Sequence, residues 1–186
     1  MKFMTSLSLL VIAVTLSVGL ASAGTKRKSP PQESFHVAQS DAEKALDDIL
    51  RRYNTDHNMF AYVVGRPWYD AKKDTGYSLL FTKNLLQAVA KAESDAVKDS
   101  CGGKYIKGEL CGLDFNPITC AQDYSEDGYL YRTIEDDGHK AIMFYLWAGH
   151  KPSDARTFYR LIKNGDHWKL DGVDCGNGDK FNMDDQ

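Results

Sequence analysis

The stretch Lys140-Ala-Ile-Met-Phe-Tyr-Leu-Trp147 decides the fold class. Its residues are β-branched, aromatic or long and apolar, and both alternating sets are apolar: Ala141, Met143, Tyr145 and Trp147 on one, Ile142, Phe144 and Leu146 on the other. A strand apolar on both faces belongs inside a sheet, covered on both sides, and reads as central. Upstream, Glu135-Asp-Asp-Gly138 carries the Asp-Gly hairpin signal and joins it to a strand predicted over 129–134. Downstream, Gly149 to Asp154 reads as a turn, 155–163 as a further strand, and Asn164-Gly-Asp166 as a second tight hairpin into 167–173. The result is an antiparallel meander of three or four strands.

The sequence before the meander is helical. Ser40-Asp-Ala-Glu43 has capping-box spacing, and Ala42, Leu46, Ile49, Leu50 and Tyr53 recur at helical intervals, which predicts a helix over 41–54. Residues 58–70 are aromatic and irregular, with Pro67 breaking any long helix. A longer helix is predicted over 77–98, its apolar face made of Tyr77, Leu80, Phe81, Leu85, Ala88, Val89 and Ala92. Helices first and strands after define an α+β domain, with N-terminal helices packed on one face of a curved antiparallel sheet.

The N-terminus has the three parts of a secretory signal peptide. Lys2 gives the positive start, Leu7 to Leu20 the apolar run, and Ala21-Ser-Ala23 a small-residue cleavage site. Cleavage after Ala23 predicts an exported, periplasmic chain without membrane insertion. The organisation expected is signal peptide 1–23, flexible leader 24–39, a single α+β domain 40–175 and a loose polar tail 176–186. The sequence holds 23 basic and 26 acidic residues; the signal contains Lys2 and no acid, leaving 22 against 26, a mature net charge of −4. That balance argues against nucleic acid, which needs a basic stripe, and offers no patch for anionic lipid.

An oxidising compartment favours cysteine pairing. Four cysteines allow three connectivities, and the favoured one is Cys101–Cys111 with Cys120–Cys175. The first closes a Gly-rich segment with little else to hold it. The second spans a long loop and, in the chain-entropy picture, contributes roughly 4 kcal/mol. No Cys-x-x-Cys pair is present, so a four-cysteine zinc site is the weaker reading. No metal or cofactor is expected. The calcium-loop start at Asp123-Tyr-Ser-Glu-Asp127 fails at its twelfth position, which is Ile134.

Three segments together resemble a known family. These are Tyr77-Ser-Leu-Leu-Phe-Thr-Lys-Asn-Leu-Leu86, Leu113-Asp-Phe-Asn-Pro-Ile-Thr-Cys-Ala-Gln-Asp123 and Gly165-Asp-His-Trp-Lys-Leu-Asp-Gly-Val173. They resemble the bacterial envelope family called domain of unknown function 3828, over roughly residues 77–174. Leu170 and Gly172 depart from its pattern, and 101–111 looks inserted. The resemblance implies a nuclear-transport-factor-2-like (cystatin-like) cone and carries no established activity.

Candidate chemistry is sparse, and no Ser-His-Asp or Cys-His arrangement exists for catalysis. Asp114, Asp123, Tyr124, His139, His150, His167 and Asp171 are the polar candidates. Asp114, His139 and His150 read as turn residues. Asp123 and Asp171 lie in family-like motifs, where tying loop backbone is the commoner use of an Asp. Tyr129, Tyr131, Tyr145, Trp147, Tyr159 and Trp168, with Phe60 and Trp68, read mainly as core, and as a contact surface where exposed. The function expected is a non-catalytic exported binding or inhibitor protein that grips a protein partner with the concave sheet and its loops through Asp123, Tyr124, Asp171, Trp147 and Trp168; one version is an immunity-type protein neutralising a periplasmic toxin or hydrolase. The alternative is a small-molecule-binding cone or a modest acid–base enzyme using Asp123 or Asp171.

Overall fold

Ser40 opens the first helix as its spacing predicts. In the computed structural model, which describes residues 34–183, its hydroxyl accepts from Glu43 N (3.2 Å) and Glu43 Oε2 accepts from Ser40 N (3.1 Å). The predicted signal peptide, most of the leader and residues 184–186 lie outside the described residues. Helix α1 (Asp41–Thr55) buries Ala42, Leu46, Ile49, Leu50 and Tyr53 along one stripe. Each fully buried Leu or Ile contributes roughly 2 kcal/mol.

A second helix replaces the irregular segment expected from residue 58. Asp56 ends α1 and caps α2 (His57–Val63), accepting from Asn58 N and Met59 N, while Met59, Ala61 and Val63 face inward. The long helix also begins later than its apolar spacing indicates. Tyr77–Leu79 form one 3-10 turn, and Phe81 then bridges Leu170 in parallel. Thr82, the N-cap, accepts from Leu85 N (3.2 Å), and α3 (Lys83–Cys101) runs to Gly102, whose φ of 62° ends it. Phe81 is spent on sheet pairing, so the helix cannot include it.

Among the described residues the sheet has five antiparallel strands in sequence order, where three or four were expected: β1 (Tyr129–Asp136), β2 (Lys140–Trp147), β3 (Phe158–Asn164), β4 (His167–Asp174) and β5 (Lys180–Phe181). The chain is thus an α+β protein with its helices ahead of its sheet. Strand β2 is interior but second in order; β3 occupies the middle. On β2, Ala141, Met143 and Tyr145 join the helices in the core, whereas Ile142, Phe144 and Leu146, on the other face, lie outside that cluster. Two register shifts mark bulges, one at Ile134 and one at Asp171.

Neither end of the domain matches the expected looseness. His36 exchanges both backbone hydrogen bonds with Tyr131 (2.9 and 2.7 Å), and Glu43, 2% exposed, also accepts from Thr133 Oγ1 (2.6 Å). At the other end Phe181 is buried beside Val173, which holds residues 180–181 to β4. Both disulfides form as expected, Cys101–Cys111 and Cys120–Cys175, with Cα separations of 5.6 and 5.3 Å.

The core-facing tyrosines tie the 113–121 loop and α1 to the sheet. Tyr145 donates to Thr119 O (2.6 Å), Tyr159 to Ile118 O (2.7 Å) and Tyr131 to Asp47 Oδ1 (2.9 Å). Tyr129, Tyr131, Tyr145, Tyr159 and Trp168 are therefore core residues. The face of the sheet they share is filled by the helices.

Candidate functional site

A buried acid organises the region outside the sheet. Glu93 extends the α3 stripe of Leu85 and Val89 toward Val97, each four residues apart, and is 1% exposed. It accepts from Tyr105 Oη and Leu113 N, both at 2.9 Å. Arg66 Nε lies 2.7 Å from its Oε1, with the N–H turned off the line between them, so the contact is an ion pair by proximity. Burial, then the hydrogen bond to Glu93, pushes the Tyr105 phenol up to about 12. The chain passes directly over this carboxylate at Gly112, where a Cβ would stand 2.2 Å from Glu93 Oε1 and φ is +95°. A side chain there would have to displace the buried acid.

Glu93 and the Cys101–Cys111 bridge together fix the loop between them. Ser100 Oγ also accepts from Gly112 N (3.2 Å). The loop projects apolar side chains into water: Leu110 is 93% exposed and Ile106 51%. Beside it Trp68, 55% exposed, meets Tyr105 edge-on at 5.3 Å. Arg66 links the two surfaces, its guanidinium 5.1 Å from the ring centres of both Trp68 and Phe60.

On the other side of Arg66 lies a cleft of about 460 Å³ between α1–α2 and the 113–124 segment. Tyr53 and Phe60 line it from the helices, Arg66 from the turn after α2, Leu113 and Phe115 from the segment, and the exposed Asp114, Asp123 and Tyr124 also border it. Asn116 Oδ1 shapes the segment by accepting from Ile118 N (2.9 Å) and Thr119 N (3.0 Å). Tyr53 is 3% exposed and its Oη has no hydrogen-bond partner among the described residues. An unpaired buried hydroxyl costs about 1–3 kcal/mol.

The five residues predicted to bind do not converge. Asp123 and Tyr124 share the cleft above. Trp147 lines a different one, about 270 Å³, with His150 5.6 Å away, and donates its Nε1–H to Tyr145 Oη. Trp168 is buried and borders a third, about 360 Å³, beside His167. Asp171 borders none of the three.

Instead Asp171 is an internal tie at its bulge. Its oxygens accept from Thr82 Oγ1 (2.8 Å), Arg160 Nε (2.7 Å) and Asn182 Nδ2 (3.2 Å), and it is 7% exposed. It thus joins the α3 cap, β3 and the residue after β5. Asp123 and Asp171 therefore share no cleft.

His139, as expected, belongs to a turn: its N–H donates to Asp137 Oδ1 (2.8 Å). Sequence reasoning missed Glu93, Arg66 and Tyr53. The available signal was Glu93, an acid interrupting an apolar stripe at four-residue spacing.

No protein-family model, curated protein or solved structure matches the chain. Among the described residues no helix is long and apolar enough to cross a membrane, and no group of His, Cys, Asp and Glu is placed to hold a metal ion.

Proposed function

We propose that this chain is an exported, non-catalytic binding domain that inhibits or neutralises a protein partner in the periplasm, as an immunity protein does. One observation carries the reading: Leu110 and Ile106 are presented to water on a loop closed by Cys101–Cys111 and seated on Glu93, beside exposed Trp68. Apolar side chains on a pre-ordered loop bind with little ordering cost, and aromatic and aliphatic anchors of this kind dominate interface energies. The signal-like N-terminus and the two disulfides fit an oxidising destination. Mild acidity suits a basic partner. The docking surface is this loop and its neighbours instead of the helix-covered sheet face. The resemblance to the domain of unknown function 3828 family belongs to the same proposal, as a kinship of fold.

The test is affinity capture from envelope and secreted fractions with the exported chain, followed by mass spectrometry. One stoichiometric protein is expected, captured at least about 30-fold more weakly by Leu110→Asp at an unchanged melting temperature. Equal capture by wild type and variant, or capture of no protein, overturns the proposal.

A further inference from the structure

The face of the sheet turned away from the helices carries a cation with no anion beside it. Arg132 on β1 stands across from Phe144 on β2, and Phe144 across from Phe158 on β3, on the side opposite the core residues Tyr131 and Tyr145. The guanidinium of Arg132 lies over two rings, 4.9 Å from the centre of Phe144 and 5.1 Å from that of Phe35. Phe35 is brought there by its neighbour His36, which exchanges backbone hydrogen bonds with Tyr131. Two rings beside one guanidinium hold it by cation–π attraction and fix its place.

The acids of the five strands are all engaged elsewhere. Glu135 faces Lys140 (2.9 Å), Asp171 faces Arg160 (2.7 Å), Asp174 faces Lys180 (3.5 Å), and Asp136 Oδ1 accepts from Gly138 N. Arg132 itself makes no ion pair and no hydrogen bond among the described residues. Nor are its donors sealed. Among the described residues the buried polar atoms without a partner are Tyr53 Oη, Arg66 Nε and Thr119 Oγ1, so the nitrogens of the half-buried Arg132 stay open to an incoming acceptor.

A guanidinium offers a planar fork of N–H donors that fits a carboxylate through two parallel hydrogen bonds. One already fixed by two rings loses little freedom on binding. A multiply charged anion would call for a second free cation, but Arg160, on the same face, is spent on Asp171 and on Asn182 O. The surroundings are apolar: Phe144, Phe158 and Ile162 are half-buried, and Ile134 is 58% exposed. Small molecules take concave sites, whereas Arg132, Phe144 and Phe158 border none of the three clefts described above. An open, apolar sheet face with one fixed cation matches an acidic residue carried on an apolar stretch of chain.

We infer that Arg132 receives the carboxylate of an acidic side chain on an apolar segment of a protein partner, laid on this outer face of the sheet. The site is a second contact surface that shares no residue with the stapled loop.

The experiment is an NMR titration of the oxidised, exported chain with the blocked tripeptide N-acetyl-Leu-Glu-Leu amide and its neutral counterpart N-acetyl-Leu-Gln-Leu amide. The Glu peptide is expected to shift the backbone amides of Arg132 and Phe144, and the Gln peptide to bind about fivefold more weakly or not at all. Arg132→Met, which keeps an apolar stem and loses the charge, is expected to bind both peptides equally weakly. Phe35→Ala, which leaves Arg132 in place and removes one of its rings, is expected to weaken the Glu peptide about threefold. Leu110→Asp should leave that binding unchanged, even where it abolishes capture of a protein. Equal binding of the two peptides by the wild type, or full retention of the Glu peptide by Arg132→Met, overturns the inference. Octanoate bound as tightly as the Glu peptide overturns it too, assigning the face to a free apolar acid.

Discussion

Tyr159 and Tyr53 are almost equally hidden from water and are treated in opposite ways. Tyr159, on β3, is 0% exposed and donates at 2.7 Å to Ile118 O. Tyr53, on α1, is 3% exposed and its hydroxyl has no partner. Around Tyr159 the polar groups close on one another: Tyr145 holds Thr119 O, Tyr131 holds Asp47, and Asp171 gathers Thr82, Arg160 and Asn182. Around Tyr53 the nearby charges, Arg66 and Glu93, face each other and leave the hydroxyl without a partner. Buried hydroxyls in a sheet serve the fold when they are paired. An unpaired one lowers stability.

The largest way to break this contrast is to cut the paired region. Replacing Cys120 and Cys175 by Ser should lower unfolding free energy by roughly 4 kcal/mol, measured by denaturant titration, because a 55-residue separation is released. Little loss would mean the 113–121 loop is held by the tyrosine hydroxyls alone.

Next in size is Glu93→Ala, which leaves the largely covered Arg66 without its counter-charge and costs about 3 kcal/mol. Adding Arg66→Met should recover much of that loss in a double-mutant cycle. Additive losses would show that Glu93 acts through Leu113 N and Tyr105 instead of through Arg66.

Smaller still is the acid response. Burial pushes the Glu43 carboxyl up, but hydrogen bonds from Thr133, Gln39 and Ser40 and the nearby His36 outweigh it and hold the group below its ordinary 4.5. A depressed carboxylate stabilises the fold above its unfolded pKa, and that contribution is lost as pH falls through the folded one. The melting temperature should therefore be flat from neutral to about pH 5 and fall below about pH 4, with a shallower fall in Glu43→Gln.

How far these regions were legible in the sequence follows the same division. Ser40 with Glu43, the Asp-Gly and Asn-Gly turns and the period of β2 are local signals, and the helix and strand positions they predict are close to those found. Thr82 was obscured because Tyr77, Leu80 and Phe81 keep helical spacing while Phe81 pairs with Leu170. Strand β5 was hidden because Phe181 and Met183 stand singly among polar residues, and the place of Phe181 comes from Val173 on β4 and from the Phe115 ring. The cleft could not be read in advance. It exists because the disulfide, Asn116 and the tyrosines bring residues 113–124 against Tyr53 and Arg66, and no local spacing records that meeting. Asp171 and Asp123 look alike as motif residues, yet one is tied at a bulge and the other stands in water.

The most direct test of the contrast is the unfolding free energy of Tyr53→Phe against Tyr159→Phe, each measured by denaturant titration of the oxidised chain. Tyr159→Phe strands Ile118 O and should cost about 1 kcal/mol, while Tyr53→Phe removes an unpaired hydroxyl and should leave stability unchanged or raise it by up to about 1 kcal/mol. If Tyr53→Phe destabilises the chain as much as Tyr159→Phe does, the hydroxyl of Tyr53 serves the fold and the contrast fails.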